Sequence, residues 1–99
     1  MADFKLTHKA VQDLNRIWNY TFDKWSEKQA DNYFGLLLET CHDIAKNPDS
    51  GKNYEGIAAG LLGQKVNRHI IFYRKPDPQF VEITRILHER MDLKSRITE

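Results

Sequence analysis

Two β-rich runs lie almost back to back in the last third of the chain, and no other feature restricts its fold as much. Arg68-His69-Ile70-Ile71-Phe72-Tyr73-Arg74 and Phe80-Val81-Glu82-Ile83-Thr84-Arg85-Ile86-Leu87-His88 flank the tetrapeptide Lys75-Pro76-Asp77-Pro78. Branched and aromatic side chains favour a pleated strand, and Pro and Asp favour a turn. The pair therefore reads as an antiparallel hairpin turning at Lys75–Pro78. Strict alternation sets Ile70 and Phe72 against Ile71 and Tyr73. On the second run it sets Val81, Ile83, Arg85 and Leu87 against Phe80 and Ile86. Apolar groups on both faces predict an interior strand covered on both sides.

The first half reads as helical. Phe4-Lys5-Leu6-Thr7 alternates briefly, as a first strand does, and Thr7 suits a helix N-cap. Ala10, Leu14, Ile17, Trp18, Phe22 and Trp25 recur at steps of three and four and form one apolar stripe. Ser26 and Gln29 fit a capping box that opens a second helix. Its stripe is Ala30, Tyr33, Phe34, Leu37, Leu38, Cys41, Ile44 and Ala45. Pro48 stops it, because the residue before proline is pushed out of the helical region. Residues 48–63 hold Gly51, Gly56, Gly60 and Gly63 and read as a loop. Gly60-Leu61-Leu62-Gly63 lacks the spacing and the Lys-Ser/Thr end of a phosphate loop. Strand character returns at Gln64.

The order β-α-α-β-β-β predicts an α+β fold, an antiparallel sheet with an N-terminal helix hairpin packed on one face. Ninety-nine residues suit a single domain spanning 1–99.

Charge and cysteine usage narrow the function classes. The formal net charge is +1, too small for a general nucleic-acid binder. It is unevenly spread: residues 1–50 hold six basic and eight acidic groups, residues 51–99 nine and six. Lys65, Arg68, Arg74 and Lys75 lie between Gln64 and Lys75 with no acid among them. The single cysteine, Cys41, cannot form an internal disulfide, which favours a reducing compartment. No apolar run approaches the ~18 residues of a membrane span, and the first residues lack a signal-peptide core. A cytoplasmic protein is expected. His8, His42, His69 and His88 are scattered without metal-ligand spacing, so no metal site is expected. Cys41 falls within the helical stripe and reads as a core residue. The aromatics Trp18, Phe22, Trp25, Tyr33 and Phe34 are expected mostly in the core, any exposed remainder marking a partner surface.

Several segments resemble the RelE/ParE toxin superfamily, and its ParE branch in particular. Ala10-Val11-Gln12-Asp13-Leu14 with Ile17 to Tyr20 is similar to the family's first helix. Asn47-Pro48 with Gly51 resembles its helix end, and Arg68 to Arg74 its penultimate strand. Ile83-Thr84-Arg85-Ile86-Leu87-His88-Glu89-Arg90-Met91-Asp92 resembles the ParE-type ending. The resemblance implies a plasmid- or chromosome-borne toxin–antitoxin pair. The toxin would poison DNA gyrase and block replication, and a ParD-like antitoxin would neutralise it. It implies a hetero-oligomeric complex, with a toxin dimer inside it as one arrangement, and no cofactor.

The superfamily also contains RelE-like ribosome-dependent mRNA endonucleases. Cleavage through the 2′-hydroxyl needs a base, cations for the phosphorane charge and an acid. Arg68, Arg85 and His88 fit those roles by type. The nucleases commonly carry an aromatic or histidine just past the last strand, whereas here the last aromatic is Phe80. Arg85 shares alternation with apolar neighbours, which suits a structural ion pair. The bland reading of His88 is a strand-end side chain bonded to the next loop. The expectation is a binding inhibitor with no catalytic residues. Candidates for meeting the target are Arg85, His88, Arg90, Met91, Lys94 and Arg96, most of them in the segment Glu89 to Glu99. Candidates for meeting the antitoxin are Trp18, Phe22, Trp25, Tyr33, Arg68 and Arg74.

Overall fold

A computed structural model describes residues 3–98. The elements are β1 (Asp3–Leu6), α1 (His8–Lys24), α2 (Glu27–Lys46), β2 (Lys52–Asn53), β3 (Leu62–Val66), β4 (His69–Asp77), β5 (Phe80–His88) and α3 (Leu93–Thr98). A single 3-10 turn, Pro48–Ser50, follows α2. The five strands form one sheet in the order β1-β5-β4-β3-β2. The pairs from β2 through β5 are antiparallel. The outer strand β1 runs parallel to β5, so the sheet is mostly antiparallel rather than wholly so.

Both expected helix starts are present. Thr7 Oγ1 accepts from the Ala10 N–H at 3.1 Å, and Ser26 Oγ accepts from the Gln29 N–H at 3.1 Å. Thr7 also donates through its hydroxyl to the Thr84 carbonyl at 2.8 Å, pinning the start of α1 to β5. The hairpin α1–α2 covers one face of the sheet. Ala10, Leu14, Leu37, Cys41, Ile44 and Ala45 pack there against Ile71, Tyr73, Val81, Ile83 and Ile86. Each such Leu or Ile contributes roughly 1.5–3 kcal/mol by leaving water. On the opposite face Ile70, Phe72 and Leu87 pack with Leu61, Tyr54 and Ile57 from the long loop, and with Leu93 and Ile97 of α3. Those two layers account for the apolar groups on both faces of β4 and β5.

Four local readings are corrected. Residues 48–63 are not wholly loop, because Lys52–Asn53 add a short fifth strand against Gly63 and Leu62. Gly63 is required there: a Cβ on it would meet the Tyr54 ring at 2.6 Å. The hairpin turn is Pro78-Gln79, with Asp77 Oδ1 accepting from the Gln79 N–H at 2.7 Å. Lys75 and Pro76 belong to β4 at a register shift, where a proline costs no ladder bond. A further shift leaves Thr84 unpaired, since Phe72 faces Arg85 while Tyr73 faces Ile83. That extra residue reverses the alternation, so Ile86 joins Val81 and Ile83 while Leu87 joins Phe72. Finally, the tail after His88 forms α3, and Asp92 caps it through Ser95.

Candidate functional site

The site begins with a gap in the sheet edge. Strand β1 pairs β5 only as far as Ile83. Beyond it, Asp13 from α1 takes the place of a neighbouring strand, and its Oδ2 accepts from the Ile86 N–H at 3.0 Å. The same carboxylate holds Arg85 by two bonds, Nε to Oδ2 at 2.8 Å and Nη2 to Oδ1 at 3.1 Å. Arg85 Nη1 donates to the Arg96 carbonyl of α3 at 2.6 Å. Asp13 and Arg85 are only 4% and 6% exposed. Arg85 therefore ties α1, β5 and α3 together, as a buried ion pair satisfied on all sides can. This removes it from the target-facing set: its guanidinium is spent inside the protein.

Next to this clamp lies a cleft of about 570 Å³ lined by Arg16, Ile17, Tyr20, His69, His88, Arg90 and Met91. Residues 16 and 20 share one side of α1, four apart. His69 opens β4 and His88 closes β5, and the two are register partners. Their rings meet edge to face at 5.4 Å. Each ring is held by its Nδ1. His88 Nδ1 accepts from the Arg90 N–H at 3.1 Å, which matches the bland strand-end reading of that residue. His69 Nδ1 lies 2.8 Å from the Tyr33 hydroxyl. Burial lowers the His69 pKa, the His88 charge lowers it further, and Glu89 opposes both. Burial likewise raises the Tyr33 pKa, against a bond from Asn67. Glu89 sits on the rim, bonded to Lys65 at 2.9 Å and Arg68 at 3.5 Å. The Lys65 bond is the main reason its carboxyl titrates below the usual range.

The other candidates divide into separate places. Arg90 and Met91 line the cleft with His88, Arg96 of α3 lines a smaller recess that shares Arg16, Ile17, His69, His88 and Met91 with it, and Lys94 lies on α3. The last residue of that segment, Glu99, lies outside the described residues. The aromatics expected mostly in the core divide: Tyr33 and Phe34 pack against it, and the others lie toward the hairpin end, past Leu14, the last fully buried residue of α1. Trp25 is 71% and Phe22 45% exposed, while Trp18, Tyr33 and Phe34 are half-buried. Trp18 stacks on Phe22 at 5.2 Å and donates through Nε1 to Asp31 at 3.0 Å. Tyr33 points instead to His69 and the Val66 carbonyl. Arg68 is engaged by Glu89, and Arg74 is exposed on β4, six residues and roughly 20 Å further along. The antitoxin candidates therefore do not form one patch.

Arg16, Tyr20 and His69 had no assigned role in the sequence reading. The i, i+4 spacing of Arg16 and Tyr20 was available, but the pairing of His69 with His88 needs the strand register. Among the described residues no group of three His, Cys, Asp or Glu is placed to hold a metal ion. Among the described residues, too, no helix is long and apolar enough to cross a membrane.

Comparison with known proteins agrees with this architecture. Residues 4–93 match the family model for the ParE toxin of the type II toxin–antitoxin system parDE. Toxin ParE1 of Caulobacter vibrioides is 33% identical over 97 residues, covering 98% of this chain and 99% of the relative. Toxin ParE1 of Mycobacterium tuberculosis is 31% identical over 90 residues, covering 91% and 92%. Toxin ParE of Escherichia coli is 27% identical over 99 residues, covering 100% and 96%. A chain from the chromosomal ParDE TA system of P. aeruginosa shares the fold, with a TM-score of 0.77 at 18% identity over 89% of this chain and 96% of that one. The chain belongs to the ParE toxin family of type II toxin–antitoxin systems.

Proposed function

We propose that this ParE-type toxin inhibits DNA gyrase by occupying its surface, without catalysing a reaction, and that a ParD-like antitoxin neutralises it. The observation that speaks against a nuclease built on Arg68, Arg85 and His88, and so carries the non-catalytic reading, is the burial of Arg85 against Asp13. A nuclease built on Arg68, Arg85 and His88 needs cations free to meet a phosphorane. Here Arg85 is locked inside, and Arg68 is turned to Glu89. Family membership supports gyrase as target and an antitoxin as partner. We assign the target to the cleft at His88, Arg90 and Met91. We assign the antitoxin to the exposed hairpin end at Phe22 and Trp25, where an amphipathic helix can cover apolar surface.

The test is induction of the chain in cells while synthesis rates are followed. Early loss of DNA synthesis with an SOS response is expected, and co-expression of the cognate antitoxin should abolish it. Early loss of protein synthesis with cut messages would instead favour the ribosome-dependent nuclease.

A further inference from the structure

We propose that the cleft between α1 and the ends of β4 and β5 binds single-stranded nucleic acid, holding a phosphodiester between Arg16 and Arg90 beside His88, and an unstacked base against Ile17, Tyr20 and Met91. The proposal deepens the assignment of this cleft to the target, and rests on it for its biological setting.

Uncompensated charge is the first observation. Neither Arg16 nor Arg90 has an ion pair or side-chain hydrogen bond among the described residues, although both line the cleft. The carboxylates nearest in the chain are engaged elsewhere: Asp13 by Arg85, Glu89 by Lys65 and Arg68, and Asp92 by Ser95. Two guanidiniums of one lining, one from α1 and one from the loop after β5, are thus left for an anion brought from outside.

The hydrogen-bonding sense is the second. A backbone N–H can only donate, so His88 Nδ1 is an acceptor toward Arg90 and the neutral ring carries its proton on Nε2. His69 adds no fixed donor, because its Nδ1 meets a Tyr33 hydroxyl that also bonds the Val66 carbonyl. What the His88 ring and the guanidiniums have left to offer is donors. A ligand rich in acceptors and poor in donors fits them, and a phosphodiester presents two non-bridging oxygens, one for each guanidinium.

The apolar walls are the third. Ile17, Met91 and the Tyr20 ring supply flat and adaptable surface, and Tyr20 is 63% exposed. An acidic peptide would use the cations and leave that surface idle, whereas a base stacks on it regardless of sequence. The volume of about 570 Å³ suits one nucleotide unit. A duplex, whose bases are already stacked, has nothing to insert.

The probe is a fluorescein-labelled oligothymidylate strand of about a dozen nucleotides, titrated with the full chain and read by anisotropy. Binding should weaken steeply with salt. The double variant R16Q/R90Q, changed only at exposed positions, should lose at least ten-fold in affinity. It should also flatten the log–log salt slope by about 0.7, the share of the one phosphate that the two guanidiniums hold. Tyr20→Ala should cost about ten-fold with the slope unchanged. Circular dichroism checks that the variants are folded. Equal binding of the matching duplex, unaltered affinity in R16Q/R90Q, or tighter binding of a poly-glutamate peptide at the same residues would overturn the proposal. Strand binding by a protein without effect on gyrase would keep this proposal and remove the reading it rests on. Gyrase inhibition without strand binding would do the reverse.

Discussion

Replacing Asp13 with Ala removes more than one bond. It strips Arg85 of both carboxylate contacts and the Ile86 N–H of its acceptor. The guanidinium is then left buried with the Arg96 carbonyl among its remaining partners. Breaking a buried pair from one side costs about 3–5 kcal/mol, because an uncompensated charge stays behind. Total stability of such a protein is roughly 5–15 kcal/mol. At about 4–8 °C per kcal/mol for this size, the melting temperature should fall by at least ~12 °C. Urea unfolding followed by circular dichroism measures the loss. Asp13→Asn should lie in between, since it keeps an acceptor for Ile86 and loses the charge. The decisive comparison is the double variant D13L/R85M. It removes both charges and fills the site with apolar groups, so it should be more stable than either single change. A loss below about 1 kcal/mol in Asp13→Ala, or a double variant no better than the worse single one, would refute the clamp.

Tyr73→Phe should cost roughly 1–3 kcal/mol in urea, because the buried hydroxyl donates to the Pro48 carbonyl at 2.7 Å and accepts from the Gly51 N–H at 3.0 Å. Cys41 is fully buried, with its thiol pushed up to about 12 by burial, so it should react with a thiol reagent at pH 8 only as fast as the protein opens. His69 should make stability depend on pH. Its pKa is lowered in the folded state, so the unfolded chain takes up the proton first. Its contribution is complete above the ordinary 6.5 and is lost as pH falls from there through the folded value. Tyr33, His88 and Glu89 face this ring, and His69→Gln should flatten the profile of melting temperature against pH in that window.

The parts of the fold legible in the sequence were those with local causes. Thr7 and Ser26 announce helix starts by side-chain chemistry alone, and the apolar runs at Ile70–Tyr73 and Val81–Leu87 announce two-sided burial. The missing parts depend on partners distant in the chain. Lys52–Asn53 has no strand pattern and exists because the β3 edge pairs with it. Nothing in Ile83-Thr84-Arg85 marks Thr84 as the extra residue, so alternation put Ile86 and Leu87 on the wrong faces. The helix α3 needs the outer sheet face before Leu93 and Ile97 have somewhere to pack. For the candidate site, His88 at the end of the last strand and Arg90 and Met91 just past it are singled out in the sequence by the ending that resembles the family, and the structure brings them to one cleft. Arg16 and His69 join them only through the register of β4 with β5 and the passage of α1 over its open edge. The structural ion pair suggested for Arg85 was legible from its apolar neighbours, but its partner, 72 residues earlier, was not.

The measurement that bears most directly on the central claim combines purified toxin, DNA gyrase and relaxed plasmid, with and without antitoxin, beside translating ribosomes carrying labelled message. This account predicts loss of supercoiling activity, its recovery when antitoxin is added, and intact message. Cleaved message with undisturbed supercoiling would contradict it.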